Sequence, residues 1–88
     1  MDQDPPKITF PCEYPIKVLG RAGEAFEPTV MKIFRQRAPG FPEERVVVKP
    51  SRNGTFNSIT VTIEARSEAQ LRQIHEELMG TGLVSMVI

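Results

Sequence analysis

Residues 45–65 read RVVVKPSRNGTFNSITVTIEA, and their pattern decides the fold. Arg45 to Lys49 is a β-branched run too short for a helix, while Ser58 to Ala65 alternates Ile59, Val61 and Ile63 with Thr60, Thr62 and Glu64. Between them Asn53-Gly54 is the pair best suited to a type I′ hairpin turn, which needs positive φ at both positions. Centring a turn on that pair sets Val48 opposite Ile59 and Val46 opposite Val61, so the apolar faces of the two strands coincide. A one-residue slip would send every one of these side chains to the other face. The segment therefore reads as a hairpin with one apolar side.

Upstream, Phe26, Val30, Ile33, Phe34 and Arg37 recur at spacings of three and four, a helical stripe that begins near Glu27-Pro28 and stops at Pro39-Gly40. Lys32, Arg35 and Arg37 sit toward its end, where cations suit the negative pole of the helix dipole, and Arg37, though in the stripe, can snorkel to water from the last turn. Before it, Tyr14, Ile16 and Val18 alternate with Pro15, Lys17 and Leu19, a first strand ended by Gly20-Arg21-Ala22-Gly23. Downstream, Ser67-Glu68-Ala69-Gln70 is a capping box opening a second helix, whose apolar stripe is Leu71, Ile74 and Leu78 with His75 at the margin. Gly80 and Gly82 bracket its end. Leu83 to Ile88 supplies a last strand, with Val84, Met86 and Ile88 expected on the core side.

The order β-α-β-β-α-β packs most simply as two split β-α-β units. The expected fold is α+β and ferredoxin-like: a four-stranded antiparallel sheet with two helices on one face. The other face stays open and carries Leu19, Val47 and Val87 among Lys17, Lys49, Thr60, Thr62 and Ser85.

Eighty-eight residues suffice for one modest core and are too few for two. Pro5, Pro6 and Pro11 mark residues 1–12 as a flexible arm, leaving 13–88 as a single domain. No apolar run approaches the ~18 residues of a membrane span, and the N-terminus lacks the order of a signal peptide. A cytoplasmic protein with no membrane partner is expected. Eleven basic against eleven acidic side chains give zero net charge, in contrast to the basic excess that phosphate-backbone binding demands, so no nucleic acid partner is expected. The single Cys12 has no second thiol for a disulfide or a thiolate metal site.

Functions that use this architecture can be tested by their required residues. Base stacking needs aromatics on the central strands, where Lys17, Leu19, Thr60 and Thr62 stand instead. Thiolate copper carriage needs paired cysteines after the first strand. Acylphosphatase-like chemistry needs an anion cradle, and although Arg21 follows Gly20, Glu24 and Glu27 would repel the anion. No nucleophile, base or metal cluster emerges, so the expectation is a non-enzyme without catalytic residues, metal or cofactor. Two binding surfaces remain. Gly20, Arg21 and Gly23 form the best loop for a small ligand, since glycines permit close backbone approach beside a helix N-terminus. Leu19, Val47 and Val87, with Lys49 and Arg52 of the basic hairpin tip, form a surface for a protein partner or for self-association.

Three stretches carry a family resemblance: Tyr14-Pro15-Ile16-Lys17-Val18-Leu19-Gly20, then Arg37-Ala38-Pro39-Gly40, then Val48-Lys49-Pro50-Ser51-Arg52-Asn53-Gly54 running into Ser58-Ile59-Thr60-Val61-Thr62-Ile63. The ending Glu76-Glu77-Leu78 and Val84-Ser85-Met86-Val87-Ile88 is similar as well. Together they resemble the YbeD-like, UPF0250-type family of small uncharacterised bacterial proteins. The resemblance implies a ferredoxin-like fold akin to the ACT regulatory domain, which elsewhere binds amino acids and pairs through sheet edges. It also implies a link to lipoate metabolism, because family members commonly lie beside lipoate-transfer genes. The Asp-x-Pro-Gly pattern frequent in the first loop of ACT domains is missing here.

Overall fold

A computed structural model describes residues 9–88. The elements are β1 (Cys12–Arg21), α1 (Phe26–Arg37), a 3₁₀ turn (Glu43–Arg45), β2 (Val47–Pro50), β3 (Phe56–Ala65), α2 (Glu68–Gly80) and β4 (Val84–Val87). The strands form one antiparallel sheet in the order β2-β3-β1-β4. This is the expected ferredoxin-like α+β arrangement.

The hairpin register agrees with the sequence, with Val48 opposite Ile59 and Val47 opposite Thr60. The turn itself differs. Pairing reaches Pro50 and Asn57, Ser51 N–H donates to the Phe56 carbonyl at 2.7 Å, and Gly54 N–H donates to the Ser51 carbonyl at 3.0 Å. Gly54 has φ +76° whereas no non-glycine residue among those described has a positive φ. A type I′ turn would need Asn53 there too. The asparagine instead accepts from Thr55 N–H and from the Ser51 hydroxyl through its side chain. A longer loop about the same midpoint leaves the register unchanged.

β1 begins at Cys12 rather than Tyr14, and Phe10 and Cys12 already pack against the core. That places the last part of the expected arm inside the fold; residues 1–8 lie outside those described. Pro15 is tolerated in this long strand because of where its nitrogen points. Lys17 and Ile88 exchange both backbone bonds, at 3.1 and 2.8 Å, so odd-numbered residues of β1 face β4. β4 meets β1 only from Lys17 onward, and the missing N–H of Pro15 leaves no bond unmade.

The core lies between the sheet and the helices. Ile16, Val18, Ile59, Val61, Ile63 and Ala65 alternate inward and meet Phe26, Val30 and Phe34 of α1 and Ile74 and Leu78 of α2. Arg37, at the last turn of the α1 stripe, reaches water as expected and is ion-paired with Glu77 of α2. The serine half of the capping box forms, with the Ser67 hydroxyl accepting from Gln70 N–H at 3.1 Å. The Gln70 side-chain carbonyl reaches one residue further back than the box predicts and accepts from Arg66 N–H at 2.7 Å, and its side-chain amide donates to the Arg37 carbonyl at 3.0 Å. One side chain thus closes the end of α1 and the start of α2. Glu43 holds Arg35 through two bonds of 2.8 and 3.1 Å, tying the 3₁₀ turn to α1. The guanidinium keeps the Glu43 carboxylate below its ordinary pKa, first through the hydrogen bond.

β4 departs most from expectation. Leu19 pairs with Met86 but Gly20 pairs with Val84, so Ser85 is an extra residue, a bulge. The bulge inverts the alternation beyond it. Val84 stays buried, Val87 turns inward against the core, and Met86 and Ile88 turn out to 54% and 65% exposure. Val87 therefore does not belong to the open face.

Two outcomes follow. A Cβ on Gly20 would stand 2.3 Å from the Leu83 carbonyl and 2.4 Å from the Phe26 ring, while one on Gly23 meets nothing within 4 Å. Chemical denaturation should show Gly20→Ala destabilised by at least ~2 kcal/mol through overpacking and Gly23→Ala changed by less than about 1 kcal/mol. Because Glu43 is depressed in the folded state, its small contribution is present at neutral pH and lost on acidification below the ordinary carboxylate range of about 4.3. Glu43→Gln should reduce the pH dependence of stability in that window, and salt should reduce it further.

Candidate functional site

The structure separates the three residues of the expected ligand loop. Gly20 is buried inside β1, paired with Asn57 and Val84, and its free side is filled by Phe26 and the Leu83 carbonyl. Arg21 points to the opposite sheet face, across from Phe56. Gly23 lies exposed in the turn and accepts from Phe26 N–H. The depression beside it is walled by Glu24, Glu27, Pro28, Met31, Arg35 and Asn57, a charged and open rim. Gly20 is a packing glycine, and the three residues do not line one common cradle.

Among the described residues, no group of three or more His, Cys, Asp or Glu side chains converges on a point that could hold a metal. His75 is exposed beside a shallow groove formed with Tyr14, Leu71, Val87 and Ile88. Cys12 is a free, half-buried thiol.

The open sheet face brings more together. Strand alternation and register place the following rows across it from β2 to β4: Val47, Thr60, Lys17, Ile88; then Lys49, Ser58, Leu19, Met86; then Phe56 beside Arg21. Phe56 and Val47 are 42% and 45% exposed, and Leu19 is half-buried. Leu19, Phe56, Met86 and Ile88 make one oblique apolar stripe, since neighbouring strands are ~4.8 Å apart and alternate residues ~6.8 Å apart. Leu19, Val47 and Lys49 are where the sequence puts them. Arg52 stands apart, exposed at the hairpin tip. Phe56, Met86 and Ile88 were not expected on this face. The turn pattern hides Phe56 and the bulge hides the other two.

The β2 edge contributes little. Even-numbered residues of β2 face away from β3, yet Val46 N–H is bonded to the Glu43 carbonyl at 3.1 Å and Pro50 has none, so Val48 offers the one outward donor of β2. Pairing through this edge is disfavoured. The broad apolar area is the face.

The family described as "Protein of unknown function (DUF493)" matches residues 5–88. The chain belongs to that DUF493 family. A UPF0250 protein of Ectopseudomonas mendocina is 49% identical over 88 residues, covering 99% of this chain and 96% of its own length. A UPF0250 protein of Paraburkholderia phymatum is 40% identical over 81 residues, covering 92% of this chain and 91% of its own. The solution structure of protein HP0495 from H. pylori superposes with a TM-score of 0.78 over 99% of this chain and 91% of its own, at 20% identity. At that identity the likeness shows a shared fold. DUF493 membership and the ferredoxin-like architecture thus agree with the resemblance carried by the sequence.

Proposed function

We propose that this domain is a non-enzymatic regulatory or interaction module of the cytoplasm whose open sheet face is its contact surface. The observation that carries the reading is the stripe of Leu19, Phe56, Met86 and Ile88, four large apolar side chains on the sheet face opposite the core. A folded domain gains nothing for its own stability by holding a phenylalanine and a methionine half in water. The distribution of polar groups supports the same reading: among the described residues no buried side-chain polar atom lacks a partner. Ionic contacts such as Arg35–Glu43 and Arg37–Glu77 join structural elements and leave no poised acid or base between them. The lipoate link implied by the family resemblance makes lipoate-transfer enzymes the first partners to try.

Affinity capture from cell extract with the full chain should recover a partner, and Phe56→Ser or Leu19→Ser should lose it. Phe56→Ser should stay within about 0.5 kcal/mol of the parent in denaturation, as exposed substitutions do, while Leu19→Ser, at a half-buried position of a central strand, should cost about 1 kcal/mol and remain folded. Sedimentation at rising concentration tests self-association in parallel. A strict monomer whose captures are the same with and without Phe56 would defeat the reading.

A further inference from the structure

Resting on the reading of the open face as a contact surface, we propose that its partner is an acidic protein segment carrying large apolar side chains. The apolar stripe is interleaved with cations of one sign. Lys17 stands between Thr60 and Ile88, Arg21 beside Phe56, and Lys49 in the row of Leu19 and Met86. The acidic side chains of this face, Glu13 and Glu64, lie side by side at the far end of β1 and β3. Each has an arginine there, Arg45 on Glu13 and Arg66 on Glu64 at 3.6 Å. Among the described residues, the basic half of the face, from Val47 to Phe56 and Ile88, contains no acidic side chain.

This segregation selects the occupant. Any partner that covers Leu19, Phe56 and Met86 must also desolvate Lys17 and at least the stems of Arg21 and Lys49. Burying a cation is unfavourable unless a carboxylate meets it. A second copy of this chain laid face to face would bring the same three cations against each other. Single-stranded nucleic acid would supply anions, but it stacks on aromatic platforms, and this stripe is aliphatic apart from Phe56. An acidic, apolar segment satisfies both requirements, with the lysine stems lying along its side chains. Lys17 and Arg21 are four residues apart on β1, ~13 Å, and Lys49 is two strands from β1, ~10 Å. Carboxylates at those separations correspond roughly to positions i and i+7 on a helix or i and i+4 on a strand.

The test uses the full chain and two labelled amphipathic peptides of about 15 residues, one of leucine and glutamate and one of leucine and lysine in the same pattern. Anisotropy titrations should show the glutamate peptide binding at least about tenfold more tightly, a difference of ~1.4 kcal/mol, and weakening as salt rises. Nuclear magnetic resonance shifts should map its site to Leu19, Phe56 and Met86. Arg21→Glu combined with Lys49→Glu, shown to be folded by circular dichroism, should reverse the preference toward the lysine peptide. Equal binding of the two peptides, no binding of either, or tighter binding of an oligouridine than of the glutamate peptide would each overturn the proposal. Partner capture that still depends on Phe56 would then leave the contact face standing with its acidic occupant refuted. Capture indifferent to Phe56 would remove the face itself.

Discussion

The contact on which the rest of the structure depends is the ring of Phe26 lying against the bare backbone of Gly20. β1 is a central strand, and Gly20 is the point where it meets β3, β4 and the first turn of α1 at once. A side chain there would push α1 off the sheet and displace the Leu83 carbonyl, which precedes β4. Because nothing projects from Gly20, the helix descends onto the sheet, and Val30 and Phe34 join Val18 and the inward residues of β3 in one core. Close approach is thus the reason for glycine at this position, in place of backbone freedom. Its φ is not in the left-handed region, unlike those of Gly40, Gly54 and Gly82.

A second layer of order comes from polar groups that bridge elements around the rim of this core. Gln70 spends its carbonyl on the entrance of α2 and its amide on the exit of α1, so the two helix ends are held by one residue. Arg37–Glu77 repeats the connection further along, and Arg35–Glu43 anchors the 3₁₀ turn that delivers the chain to β2. All are exposed or half-exposed, so each adds modestly to stability. Their larger effect is on geometry: they set how the helices sit on one face and leave the other face uncommitted.

Much of this was legible in the sequence, and the exceptions have identifiable causes. The β2–β3 register was readable because it depends on the midpoint of the turn, and a longer loop about Asn53-Gly54 keeps the same midpoint as the expected tight one. The surrounding residues were harder. Phe56 looked like part of the turn, yet Ser51 pairs with it and makes it the first residue of β3 on the open face. Met86, Val87 and Ile88 obey a strict alternation in sequence, and the bulge at Ser85 breaks that alternation without any glycine or proline to announce it. That Arg37 reaches water from the last turn of its stripe was readable, but its partner Glu77, forty residues away in sequence, was not. As for the ligand loop, composition could not reveal that Phe26 already fills the space beside Gly20.

The prolines at 15 and 50 carry a consequence for behaviour in a crowded cell. Fibre growth needs a continuous ladder of backbone donors and acceptors, and Pro15 interrupts the ladder of the uncovered half of β1 as Pro50 does that of β2. Apolar side chains on a sheet are usually a hazard because face and edge are adhesive together. Here the two are uncoupled along β2 and the uncovered half of β1, so an exposed apolar face lies beside backbone that offers stacked copies little on which to propagate.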